Sequence, residues 1–441
     1  MHIKRWLVLL VLGITFVSLG VAYLMTQVYR TQPFPEFVGV LTLQFIGRAE
    51  RGVLFIGFGV GIAAVALLQL SRSILAPFRT DGQGSVIDII YDHRMQAQWP
   101  RIVAIGGGTG LSTLLRGLKE HPCNLTAIVS VADDGGSSGR LRDELGIPPP
   151  GDIRQCLVAL ADAEPQMTQL FQYRFTRGEG LEGHSFGNLF IAAMLGTNGG
   201  DFVRSIQASS RILAVRGEVL PATTEHVILS AEFDDGSVVR GETAIRHAGK
   251  RIRQLHLQPA SQGTSSGWQP AAVEAASRAI LNADMIVIGP GSLYTSVMPN
   301  LLVDEIATAV RESRAVKAYV CNVATEYGET EEFRVADHVR ALERHLGQGL
   351  FQHVVVNSNL GVPLPEDFRS RLVAFDGDVG LQASYSIVLA DVIDPQEPRR
   401  HSAEKLAAEL LRLYYDSGRQ ESARRDEVDR GVAAAGARTG A

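Results

Sequence analysis

Apolar and polar positions along the chain fall into three regimes. The first is apolar in long blocks. Trp6 to Met25 is a 20-residue run without a charge, preceded by Lys4 and Arg5. Gly52 to Leu70 is a second, 19-residue run, with Arg48 and Arg51 before it and Arg72 and Arg79 after it. Each is long enough to cross about 30 Å of hydrocarbon as a helix. The pattern therefore predicts a two-helix transmembrane hairpin over 1–75 and a linker over 76–97. The first block is too long for a cleaved leader, and no small-x-small site follows it. Charge bias gives little orientation, because Arg30, Arg48 and Arg51 sit between the two runs. Phe37 to Gly47 is too short to span and suits the interface.

From 98 to about 415 short apolar runs alternate with amphipathic stretches. Arg101–Ile105, Leu125–Val131, Met285–Ile288, Val316–Val320 and His353–Asn357 lack in/out alternation, as strands buried on both faces of a parallel sheet do. Between the first two, Leu111, Leu114, Leu115 and Leu118 fall on one helical stripe. His226 to Glu242 instead alternates around Asp-Asp-Gly, a hairpin signal, and predicts a small antiparallel insert over about 224–260. Residues 416–441 are charged and small without a period and predict a disordered tail. The fold class is α/β: a Rossmann-like, mostly parallel sheet with a small antiparallel insert, preceded by the transmembrane hairpin.

Composition narrows the chemistry. A net charge of -5 and a pI near 6.1 give no reason to expect nucleic acid as a partner. Cys123, Cys156 and Cys321 lie far apart with no CxxC pair, which argues against a disulfide framework or a zinc knuckle. The eleven histidines show no metal-ligand spacing.

The chemistry-bearing residues lie where apolar runs end. In VAIGGGTGLSTLLRGL, from Val103, four glycines crowd a strand-to-helix junction. Neither GxGxxG nor GxxxxGK[ST] fits, since Leu111 and Ser112 stand where those patterns need glycine or lysine. The physics common to both survives: Gly106, Gly107, Gly108, Thr109 and Gly110 offer backbone amides and a helix N-terminus to an anion, but no mobile cation. In SVADDGGSSGRLRDELG, Asp133 and Asp134 end the second strand and can meet a ribose or a metal. Ser137, Ser138 and Arg140 follow as donors suited to phosphate. Asp152 in PPPGDIRQCL reads as a helix N-cap at least as readily as a catalytic acid. Arg154, in the first turn, opposes the helix dipole and so favours an anionic partner. EGHSFGNLF places His184 and Asn188 before a helix as ligand contacts. Ser185 lacks the surroundings of a nucleophile. Gly291, Ser292, Tyr294, Thr295 and Ser296 form a hydroxyl-rich junction in the second half, and Asn322 and Thr325 end the next strand.

Taken together and in this order, GGGTGLS, DDGGSSGRLR, PPPGDIRQCL, EGHSFGNLF, GPGSLYTSVMPNLLV and CNVATEYGET resemble the gluconeogenesis-factor family, of the same superfamily as 2-phospho-L-lactate transferase. The resemblance covers roughly 98–415. It implies a Rossmann-like fold that dimerises, binding of UDP-sugars, chiefly UDP-N-acetylglucosamine, and a role in cell shape and wall-precursor balance during gluconeogenic growth, with wall-synthesis proteins as partners. The transferase side implies movement of a phospholactyl group from a guanylyl-activated donor, with magnesium; Asp133 is then the candidate catalytic and magnesium-binding residue. The family's late basic element falls on Arg400, although Ser402 stands where members often carry aspartate. Two readings follow: a UDP-sugar-binding regulator needing no cofactor, tethered to the membrane with its soluble domain facing the cytoplasm, and a phospholactyl-type transferase. A nicotinamide-dependent dehydrogenase is weaker, because the third fingerprint glycine and a catalytic dyad are missing, though NAD remains a candidate ligand.

Overall fold

A computed structural model describes residues 18, 46–47, 49–50, 52–54, 56–61, 65, 99–162, 165–260, 267–364 and 369–419. The chain divides into two units, Met1–His93 and Arg94–Ala441. In the first unit, 52–54 and 56–61 are helical, with exposed Val53, Leu54, Ile56, Phe58 and Val60. The expected hairpin over 1–75 is not found among the described residues: none of their helices is long and apolar enough to cross a membrane. The first apolar run lies almost wholly outside them, as do the linker over 76–97 and the tail from 420 onward.

The described residues of the second unit form ten strands. They are β1 (Arg101–Gly106), β2 (Asn124–Val129), β3 (Glu218–Pro221), β4 (Val227–Phe233), β5 (Val238–Arg240), β6 (Ile252–Pro259), β7 (Met285–Ile288), β8 (Val316–Val320), β9 (His353–Asn357) and β10 (Ser386–Ala390). Seven form one sheet in the order β10-β9-β8-β7-β1-β2-β3, and every pairing in it is parallel. Parallel neighbours need crossovers, and helices supply them on both faces. That is why β7 is buried at all four positions and β1 at all but its first. The other three strands form the expected antiparallel insert, ordered β5-β4-β6. A short helix, Glu242–His247, interrupts it between β5 and β6.

The sequence order around β1 decides where a ligand can sit. Running outward from β1, the chain goes to β2 and β3 on one side and to β7, β8, β9 and β10 on the other. The loops leaving β1 and β7 therefore turn to opposite sides and open a crevice at the carboxyl ends of the strands. The helix Gly108–Leu118 closes one flank and buries Leu111, Leu114, Leu115 and Leu118 completely. Each such leucine contributes about 1.5–3 kcal/mol through burial.

The last described helix, residues 403–419, lies against this same helix. Gly117 makes that approach possible, because a Cβ there would overlap the Ala403 carbonyl oxygen. Gly196, by contrast, sits in the helix Phe186–Thr197 with open space around it. Gly117→Ala should therefore lower the thermal midpoint by pushing the C-terminal helix off the helix Gly108–Leu118. Gly196→Ala should raise it slightly, by up to about 1 kcal/mol of stability through reduced backbone entropy. Equal effects of the two substitutions in thermal unfolding would contradict the packing described.

Candidate functional site

At the crevice between β1 and β7 lies a cleft of about 790 Å³. Its floor is the glycine loop after β1. Gly107 is the N-cap of the helix Gly108–Leu118, and Gly108 takes φ 60, a conformation L side chains rarely adopt. Across from it runs the loop after β7, Gly289-Pro290-Gly291, whose first bond is cis. The two loops touch: a Cβ on Gly110 would stand 2.7 Å from the Pro290 carbonyl oxygen and 2.8 Å from the Gly291 nitrogen. Asn300 fastens the pair from beneath, its Nδ2 donating to Gly106 O at 3.0 Å and Ser296 O at 2.8 Å.

Of the residues singled out in the sequence, Gly107, Gly108, Thr109, Gly110, Asp133, Gly291, Ser292, Asn322 and Arg400 line this one cleft, with Ser296 and Thr325. Asn322 accepts from Gly291 N at 3.4 Å, and its buried Nδ2 has no partner. Gly106 lies inside the sheet end, its carbonyl engaged by Ser130 N.

The others are used internally. Asp134 accepts from Thr243 N at 2.8 Å and Thr243 Oγ1 at 2.7 Å, which ties the insert to the core. Ser137, Ser138, His184 and Asn188 form a buried network: Ser137 Oγ lies 3.0 Å from His184 Nδ1, and Asn188 Nδ2 donates to Ser137 at 3.0 Å and to Ser138 at 3.4 Å. Burial, with Arg140 nearby, holds His184 below the usual imidazole range. Arg140 donates to Glu182 O at 2.6 Å, beside that network. Ser185 caps the helix Phe186–Thr197 through Asn188 N. Tyr294 N and Thr295 Oγ1 donate to the fully buried Glu329, at 3.2 and 2.7 Å.

Asp152 is not an N-cap. The helix starts at Gly151 with Pro150 in the cap position, so Asp152 falls in the first turn and faces the glycine loop, where it accepts from Gly108 N–H. Burial, with Asp133 adding repulsion, pushes its carboxyl up to about 7. The insert helix adds two residues that sequence reasoning missed. Glu242 is pushed up to about 9, first by burial and then by Asp133 and Asp152. Arg246, one turn on, stands 3.8 Å from Glu242 and 3.5 Å from Glu329. An i,i+4 acid–arginine pair was the local signal available, but nothing local said that it faces a cleft. Glu326, Arg369, Arg399 and His401 complete the wall. Arg369 lies over the Tyr327 ring at 5.1 Å, and burial lowers His401 to about 4.

Among the described residues no three histidines, cysteines or acids stand together to hold a metal ion, and Asp133 Oδ1 already accepts from Gly135 N at 2.8 Å. What the arrangement offers is amides and arginines for anions, and high-pKa carboxyls that exchange protons or bond hydroxyls.

Those carboxyls also set a stability profile. Asp152 and Glu242 titrate higher in the folded chain than when unfolded, so the folded state holds extra protons above about pH 4. The stability they contribute is complete below that pH and is lost as pH rises through about 7 and 9. The thermal midpoint should therefore fall between pH 5 and pH 8, and Asp152→Asn should flatten part of the fall. An unchanged slope in the variant would show that Asp152 ionises normally.

The family model for 2-phospho-L-lactate transferase CofD matches residues 102–381. A gluconeogenesis-factor relative from Nostoc sp. is 45% identical, over 94% of this chain and 91% of its own length. The gluconeogenesis factor of Bacillus subtilis is also 45% identical, over 72% of this chain and 98% of its own. A solved structure of a UPF0052 family member from Bacillus halodurans superposes with a TM-score of 0.66 at 44% identity, covering 71% of this chain and 99% of that one. With its strand order, its paired glycine loops and these relatives, the chain belongs to the CofD family, among the gluconeogenesis factors.

Proposed function

We propose that the cleft binds a nucleotide sugar, UDP-N-acetylglucosamine, and that the protein acts as a regulator of cell shape and wall-precursor balance under gluconeogenic growth. The observation that carries this is the meeting of the Gly107–Gly110 loop and the Pro290–Ser292 loop across one cleft. A pyrophosphate on the amides of the first loop would gain charge-assisted donors without needing a lysine. The hydroxyls of Ser292, Ser296 and Thr325, with the unpartnered Asn322 Nδ2, then face the sugar side. A volume of about 790 Å³ suits a ligand of this size.

In this reading the N-terminal apolar runs anchor the domain to the cytoplasmic face of the cell membrane as a homodimer. There, lipid-linked wall precursors and their synthetic proteins are within reach. The match with the Nostoc relative extends into this segment, since 94% coverage must take in most of residues 1–97.

One observation favours a second reading, a phospholactyl-type transferase: Asp152, with a carboxyl near 7, stands beside Asp133 at the anion loop, poised to take a proton from an acceptor hydroxyl. Turnover of a guanylyl-phospholactate donor with a deazaflavin alcohol, lost in Asp152→Asn, would establish it.

Titration with UDP-N-acetylglucosamine tests the first reading. Gly108→Val forces a branched side chain into a left-handed backbone position and should weaken binding about ten-fold or more. Asp133→Ala should weaken it by several-fold. Undiminished affinity in both variants would remove the ligand from this cleft.

A further inference from the structure

Beside the cleft lies a smaller cavity of about 290 Å³, sharing Thr109, Gln155 and Arg400 with it. Three guanidiniums line it. Arg116 comes from the helix Gly108–Leu118, Arg154 from the helix Gly151–Leu160, and Arg400 from the segment leading into the last helix. Among the described residues none of the three forms an ion pair with a carboxylate. Among the described residues Arg154 makes one long bond, 3.5 Å to the Phe171 carbonyl, and its buried Nε has no partner. It also stands in a first helical turn, where the dipole opposes a cation.

Gathering three cations with no carboxylate in ion-pair contact is costly, although Asp152 and Asp133 act on Arg154 from farther off, and a buried guanidinium donor left unpaired adds to the cost. The titration of the group agrees. Burial, with Arg174 nearby, pulls Arg154 below the usual guanidinium range. An anion in the cavity would relieve all of these terms at once. The donors approach from three separate elements, with the Thr109 hydroxyl and the Gln155 and Gln172 amides between them. A planar carboxylate presents its acceptors in one plane, whereas a tetrahedral oxyanion presents them in three dimensions, toward donors that come from three elements.

We propose that the Arg116–Arg154–Arg400 cavity is a binding site for a phosphate-class oxyanion, separate from the pyrophosphate seat on the glycine loop. The oxyanion is either a further phosphate of a ligand reaching over from the cleft or a free anion bound beside it. The site stands whether or not the cleft takes a nucleotide sugar.

Inorganic phosphate titrated into the full-length protein, followed by calorimetry and phosphorus NMR, tests this directly. Saturable binding is expected, weakened about ten-fold or more by Arg116→Gln and partly restored by Arg116→Lys, since each charge-assisted contact is worth at least that factor. Arg116 is exposed, so its replacement leaves folding intact; thermal unfolding checks this. Gly108→Val should leave phosphate binding in place. No saturable binding, unchanged affinity in both Arg116→Gln and Arg154→Gln, or loss in Gly108→Val alone would each overturn the site. Given binding, phosphate that competes with UDP-N-acetylglucosamine supports a spanning ligand, and phosphate that binds alongside it supports a free anion. Phosphate that binds through Arg116 while the nucleotide sugar fails to bind would sink the proposed function and leave this site standing.

Discussion

The contact on which the site depends is backbone against backbone. Gly110 meets Pro290 and Gly291 at a distance that leaves no room for any side chain, and Asn300 pins both loops to the sheet end. Strand order explains why the contact exists. Because the chain leaves β1 toward β2 and returns through β7 on the other side, the two loops diverge in direction at neighbouring strands. Glycines let them stay close all the same. The cleft is thus a product of topology, and its polar lining of amides follows from two helix starts facing one space.

Charge is distributed unevenly around that space. Asp133, Asp152 and Glu242 crowd the side toward β2 and the insert, where burial and mutual repulsion raise Asp152 and Glu242. Arg399 and Arg400 lie on the other wall, and Arg246 is half-neutralised between Glu242 and Glu329. A cluster of buried acids is unfavourable unless something offers protons or hydroxyls to it. The insert helix enters this balance through Asp134, which holds Thr243 and so fixes where Glu242 stands.

Much of this was legible in the chain, unevenly so. Met285–Ile288, Val316–Val320 and His353–Asn357 read as strands with their observed bounds, because burial on both faces leaves an unbroken apolar run. β3 and β10 went unread. Both are edge strands, β3 only four residues long and β10 nowhere fully buried, so neither carries that signal. Among polar residues, the glycine loops declared themselves through composition. His184 and Asn188 show the limit of that inference: a Gly-His-Ser-Asn cluster before a helix serves equally well to brace a neighbouring loop from inside. Glu242 and Arg246 reach the cleft only because a distant insert folds over it, and no local pattern encodes that distance.

The asymmetry of the cleft constrains how any ligand lies in it. Groups that donate protons, such as ribose and sugar hydroxyls, are favoured toward Asp152 and Glu242, whose raised carboxyls accept and share hydrogen bonds without full charge. Anionic groups are favoured over the glycine-loop amides and onward to Arg400, where amides, helix dipole and guanidinium act in one direction. A phosphate laid toward Asp133 and Glu242 would meet acids and forfeit both contributions, while Asp152, bonded to Gly108 N–H, stands at the glycine loop itself. A molecule carrying phosphate beside a hydroxyl-bearing group satisfies both parts of this field at once. Binding and group transfer would draw on the same cradle of amides and carboxyls.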